Sequence, residues 1–278
     1  MSPALLASLM MLVSAGAHAA VNAAFKAGGD KMASRALIDL SSGVFIVTHA
    51  LWSPMPTGAW IWLAGSGATH LVYLFALVRT FEQADMIIAY PIFRGIAPVL
   101  TAIGAVAIFG EPMGSAVEVG VVLVSLGVLA TALGRHMDAR SLAWAIFTGA
   151  AIATYTVIDA HGVKQAPTAA SYIAWSFLID GALIGGLFAV IRGPIFLRTV
   201  RRQWRSGALA GAGSIVSYGL ALAAFRIGAT PRLAALRETS VLFAIAFAAL
   251  FLKERASFSR LSGAAVIGAG AAVLVASG

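Results

Sequence analysis

Ten long apolar runs, separated by short polar breaks, dominate the chain. They fall near residues 3–25, 34–52, 58–79, 84–109, 115–134, 142–161, 170–191, 206–226, 231–252 and 259–277. An α-helix needs about 20 apolar residues to cross hydrocarbon. These runs approach or reach that length and are apolar all round, whereas strands of a membrane barrel are short and alternate. The pattern predicts an all-α integral membrane protein with ten transmembrane helices. The small-residue segment AGAHA at 15–19 resembles a signal-peptide cleavage site, but no Lys or Arg precedes the first run. A signal peptide has a positive n-region, so the run reads as a true first helix.

Composition sharpens this picture. Of 278 residues, 60% are hydrophobic and 11% charged, with a mean hydropathy of +0.92. Soluble domains carry about 25% charged residues, and ten spans leave little length for a soluble catalytic or output domain. The net charge of +8 has two readings, nucleic acid or anionic headgroups. No basic run is interleaved with stacking aromatics, so nucleic acid is not an expected partner and membrane lipid is. Cysteine is absent, which excludes disulfides, thiolate catalysis and cysteine-ligated metal centres.

Basic residues set the expected topology. Fourteen of the 19 Lys and Arg fall in the loops after the odd-numbered runs, including Lys26, Lys31, Arg79, Arg135 and the cluster from Arg192 to Arg205. Only Lys164, Arg226 and Arg232 fall on the other side. Basic loops stay in the cytoplasm, so both termini are expected to face away from it.

The two halves of the sequence match. Residues 90–112, YPIFRGIAPVLTAIGAVAIFGEP, align with 233–255, LAALRETSVLFAIAFAALFLKER, at an offset of 143. This pairs Arg94 with Arg237, Glu111 with Glu254, Gly120 with Gly263 and Gly127 with Gly270. LID recurs at 37–39 and 178–180. Chance apolar similarity does not readily place these polar residues in register. Residues 1–138 and 139–278 therefore read as two five-helix units. An odd helix number inverts the second unit in the membrane, an arrangement suited to alternating access around a midplane site.

These residues resemble a known family. AHAAVNAAFK at 17–26, YPIFRGIAP at 90–98 with GEP at 110–112, and LRETS at 236–240 with LKER at 252–255 make the chain similar to the drug/metabolite transporter superfamily, in its EamA-like branch. The resemblance covers essentially the whole chain. It implies a multi-pass transporter that moves small metabolites, amino acids or drugs, often outward. The roles of Arg94 and Arg237 are argued from physics and are not carried over.

Ionisable side chains inside a bilayer are costly and face a cavity or a partner. Arg94 follows Tyr90 by one helical turn and lies between Pro91 and Pro98, which free backbone carbonyls. Arg237 holds the matching place beside Glu238. Either the two arginines grip a substrate carboxylate or phosphate, or they are structural and satisfied by carbonyls or a carboxylate. His18 and Asn22 share one face of the first run, and His70 and Tyr73 one face of the third. Tyr155, Trp175 and Tyr218 are candidate aromatic walls for the same substrate site. Trp60 and Trp62 read as interface anchors.

Asp159 and Asp180 lie within the sixth and seventh runs. A carboxylate enclosed in a bilayer can take up and release a proton during a transport cycle, which makes both candidate coupling residues. The other reading for Asp180 is a permanent pair with Arg94 or Arg237. Asp39 lies one turn from Arg35, so a local ion pair is expected. Glu111 and Glu254 sit at helix ends and are expected to meet the start of the next helix.

No further chemistry is visible. Five scattered histidines do not make a metal site. GSGATH at 65–70 is not a dinucleotide loop, and no P-loop is present, so neither nucleotide nor cofactor is expected. No convergent catalytic set appears, so the chain is not read as an enzyme. The glycines, including Gly181 and Gly185, speak to close helix packing. The combined expectation is a secondary active exporter of a small organic molecule in a cell membrane, the bacterial inner membrane in particular, as monomer or homodimer. A channel or facilitative exchanger is the alternative; a membrane enzyme or sensor fits less well.

Overall fold

The computed structural model describes residues 1–27, 31–134, 136–251 and 257–278, and side chains of 1–22, 33–134, 136–250 and 257–278. Glu254, Lys26 and the GGD segment at 28–30 lie outside the described side chains. Regular structure among the described residues is helical throughout. In chain order it comprises α1 (Pro3–Ala27), α2 (Lys31–Trp52), α3 (Trp60–Gln83), α4 (Met86–Phe109), α5 (Ser115–Ala130), α6 (Ala139–Gln165) and α7 (Ala169–Asp180). A π-helical turn at Gly181–Gly185 leads into α8 (Gly186–Ile227), α9 (Thr230–Arg237), α10 (Ser240–Phe251) and α11 (Phe258–Ala276).

Seven helical segments are long and apolar enough to cross a membrane, among the described residues. The expected run 34–52 is not among them, because α2 carries Arg35, Asp39 and His49. α5 is apolar but short. Two expected boundaries differ. Residues 192–205, expected as a loop, are helical: the chain bends at Gly193 (φ 28, ψ −103) and restarts at Pro194. Glycine alone adopts that backbone readily, and proline is tolerated at a first helical position. Conversely, the expected run 231–252 breaks between α9 and α10, at Glu238–Thr239. Hydrogen bonds of three-residue span, from Glu238 N–H to Ala235 O and from Thr239 N–H to Leu236 O, tighten the last turn there.

Polar contacts sort the helix ends into two groups. At one end, Ser141 at the start of α6 donates to Gln83 O at the end of α3, and Ser34 in α2 donates to Gln203. This is the basic end. At the other, Ser171 at the start of α7 donates to Pro54 O, and Arg226 at the end of α8 reaches the carbonyls of Val163, Ala166 and Pro167. Caps fix several starts: Asp138 accepts from the N–H groups of Arg140 and Ser141, and Thr168 from that of Ser171.

The main core fills the interior of the second end. Met11, Leu63, Tyr172, Leu222, Phe225, Leu233 and Leu236 are all within it and almost inaccessible. On one flank α5 crosses α11 at glycines. A Cβ on Gly127 would lie 2.7 Å from Ile267 N and 2.9 Å from Gly263 O; one on Gly270 would lie 2.9 Å from Val124 N and 3.0 Å from Gly120 O. Backbone cannot yield as a side chain can. Gly127→Ala is therefore expected to lose about 1–3 kcal/mol through overpacking. Gly268→Ala, with nothing within 4 Å of its would-be Cβ, should be near neutral. Thermal unfolding in detergent compares them.

Candidate functional site

A cavity of about 320 Å³ lies between the helices. Its mid-depth walls hold His18 and Asn22 from α1, His70 and Tyr73 from α3, Tyr90 and Arg94 from α4, Tyr155 from α6, Asp180 from the end of α7, Tyr218 from α8 and Arg237 from α9. From there the lining runs toward the basic end through Arg35, Val78, Phe81, Glu82 and Met86. Glu82 is 55% exposed at its side chain and Arg35 35%, so the cavity reaches the surface there. No described lining residue lies at the opposite end, where the apolar core closes the interior.

The two arginines are brought to the same cavity but differ in state. Arg94 Nε lies 2.8 Å from Glu238 Oε2, off the hydrogen-bond line, so the attraction is chiefly one of charge. Its Nη2 donates to Ser240 at 3.0 Å. Glu238 comes from the break between α9 and α10, and Ser240 is the first residue of α10. Pro91 and Pro98 accompany Arg94 in α4, and interrupted helices of this kind are tolerated where they line a cavity. Arg237 has no carboxylate within ion-pair reach among the described side chains. Its guanidinium sits 4.7 Å from the centre of the Tyr218 ring, and its buried Nε has no hydrogen-bond partner among the described residues. A cation over an aromatic face keeps most of its charge available to a ligand.

The carboxylates divide in the same way. Asp180 Oδ2 faces His70 Nδ1 at 3.7 Å, and the His70 ring stacks on Tyr155 at 4.2 Å. The alternative pairing of Asp180 with Arg94 or Arg237 is not what the structure has, since Glu238 takes Arg94. Asp159 is fully buried and outside the cavity lining. The O–H groups of Tyr172, at 2.8 Å, and of Tyr218 donate to it. Its helical face turns toward the core, and Tyr218 stands between it and the cavity. Trp175, a candidate aromatic wall, lies away from the cavity. It packs edge-on against Trp60, with ring centres 5.0 Å apart, because its face of α7 meets the start of α3.

Three features escape a reading by sequence position. Glu238 is the charge partner of Arg94, across 144 positions of chain. Asp39 makes the expected pair with Arg35, at 2.8 Å, yet both also line the cavity. Glu111 does not meet the next helix. It meets the start of α9, taking hydrogen bonds from Thr230 N–H and Oγ1, both at 2.8 Å, and from Lys164 Nζ at 2.5 Å. Burial by itself would raise this carboxyl, but these hydrogen bonds outweigh it and hold it below its ordinary value. The turn before it explains its aim: Gly110 (φ 64) caps α4 in the left-handed conformation, and Glu111 N–H returns to Ala105 O.

Fold and site are those of a helical membrane protein with a polar cavity at mid-depth. Residues 139–276 match the model of the EamA-like transporter family. A solved crystal structure shares the fold at a TM-score of 0.74 and 18% identity, over 97% of this chain and 95% of its own. No curated protein matches the chain significantly.

Proposed function

We propose that the protein is a secondary active transporter that carries a small organic molecule bearing an anionic group, by alternating access. The carrying observation is Arg237: a buried guanidinium without a carboxylate partner among the described side chains, at the inner part of a cavity open to one end and closed at the other. Arg94 bears on the ligand as a neutralised, shape-fixing group beside it. Asp180 and His70 supply an acid–base pair on the opposite wall, with Tyr73, Tyr90 and Tyr155 as the aromatic body of the site. Amino acids, other metabolites and drugs with a carboxylate fit this chemistry.

The sequence repeat supports ten spans in two inverted five-helix units, 1–138 and 139–278. The crossing of α5 and α11 agrees with that reading. Gly127 meets Gly263 and Gly120 meets Gly270, and the offset of 143 exchanges these two pairs, as a two-fold axis between inverted units requires. The basic end is then cytoplasmic, the direction outward, and the location a bacterial inner membrane. Asp180 is proposed as the proton-coupling residue, with Asp159 in support through Tyr218. Lipid is the surrounding partner, with a monomer or homodimer as the unit.

Counterflow in proteoliposomes tests the reading, with an amino-acid, organic-acid and drug panel. A carrier exchanges labelled substrate against unlabelled; a channel only dissipates it; an enzyme or sensor does neither. Asp180→Asn keeps size and much of the hydrogen bonding but cannot release a proton. It is expected to retain counterflow and to lose accumulation driven by a pH gradient. Accumulation at the wild-type level in Asp180→Asn would remove the residue from coupling.

A further inference from the structure

We infer that Glu111, Lys164 and Thr230 form an ionic latch that holds the cavity shut at the end opposite its opening, and that it must part once in every transport cycle. The inference rests on the alternating-access reading given above. Glu111 lies in the turn between α4 and α5, Lys164 in the last turn of α6, and Thr230 at the first position of α9. One carboxylate thus ties three elements from both halves of the chain, through three hydrogen bonds of 2.5–2.8 Å. Two of the donors carry a full charge or the partial charge of a helix start, and such bonds are roughly twice as strong as neutral ones. Lys164 Nζ also lies 3.5 Å from Thr230 Oγ1, which closes the triangle.

Its position gives the latch its role. Directly inward lies the apolar plug of Leu63, Tyr172, Leu222, Phe225 and Leu233, which separates the mid-depth cavity from this end. Apolar packing alone would favour the closed form without a defined point of release. A surface-proximal carboxylate can exchange its partners for water when the end opens, so the latch sets the balance between the two forms without burying a charge in the open one. Arg226 adds a strap from α8 to the turn between α6 and α7, but it binds carbonyls within the second half only. It is therefore expected to hold α8 to that turn without restraining the separation of the halves.

The chain has no cysteine, so single introduced thiols report access cleanly. Ala160→Cys places a thiol in the plug, four residues before Lys164 on α6, and Ser214→Cys places one on the cavity wall. Each thiol is labelled with a membrane-impermeant maleimide, applied to one face of the membrane at a time, in full-length protein. Glu111→Gln and Lys164→Met are each expected to raise labelling at position 160 from the latch side on the order of tenfold, the scale of a lost charged hydrogen bond. They should lower labelling at position 214 from the basic side, because the two openings exclude each other. Arg226→Gln should leave the ratio unchanged. Unchanged labelling at position 160 in both latch variants overturns the inference. So does a rise at position 160 with no fall at position 214, which marks local loosening. No substrate enters this assay, so the latch fails or stands separately from transport, which counterflow tests.

Discussion

Arg94→Ala is expected to destabilise the folded protein by about 3–5 kcal/mol, because it leaves the carboxylate of Glu238 buried and without its counter-charge. Glu238 is 3% exposed and does not line the cavity, so its carboxylate cannot turn to water. The cost should show as a large fall in unfolding temperature in detergent and in the yield of inserted protein. The double variant Arg94→Met/Glu238→Gln tests the cause. Replacing both members of a buried pair by uncharged groups of similar size is often near neutral, so the double variant should recover most of the loss. An Arg94→Ala protein as stable as wild type would show that Arg94 is held for the ligand alone.

Much of the fold is legible along the chain because the bilayer is an unambiguous solvent. Backbone groups in hydrocarbon must be satisfied within their own segment, so apolar length translates directly into helix. Where the structure departs from that reading, two causes of different kind are at work. At 192–205 the arginines give a polar composition that reads as a loop, yet a polar segment outside the hydrocarbon is free to be helical, and Gly193–Pro194 only bends it. At Glu238–Thr239 the apolar count continues through a tightening to three-residue hydrogen bonds, at the point where Glu238 faces Arg94, and a contact so distant in sequence leaves no mark on the local pattern.

The site is legible in its residue types and less so in its pairs. Arg94, Arg237, Tyr90, Tyr155, Tyr218, Asp180 and His18 all announce themselves as polar groups in apolar runs, and the cavity gathers them. Which of two arginines is neutralised depends on a contact between positions 94 and 238, and no local pattern encodes that. Helical phase decides Asp159 and Trp175 as well. Trp175 turns to the start of α3, and Asp159 turns to Tyr172 and Tyr218. Glu111 carries a signal that could have been read: a carboxylate after a glycine cap is free to point away from its own next helix.

Arg237→Ala is expected to do the opposite of Arg94→Ala: it should fold and fail to transport. Folding loses a contact with the Tyr218 ring, about 0.5–2 kcal/mol, and strands no carboxylate among the described side chains. Substrate loses the one guanidinium among the described cavity residues whose charge is not already taken. A hydrogen-bonded charge contact is worth about 1.5–3 kcal/mol, which corresponds to roughly a ten- to hundredfold fall in counterflow at limiting substrate. Arg237→Lys separates charge from shape. Lysine keeps the positive charge but loses the planar fork that holds a carboxylate in two places and lies flat on the Tyr218 ring. Its counterflow should fall between wild type and Arg237→Ala, with the loss concentrated in the apparent affinity for substrate. Wild-type counterflow in a folded Arg237→Ala protein would sink the anion-binding role. A ligand held by Asp180 and the tyrosines, and therefore cationic or neutral, would then be the chemistry to pursue.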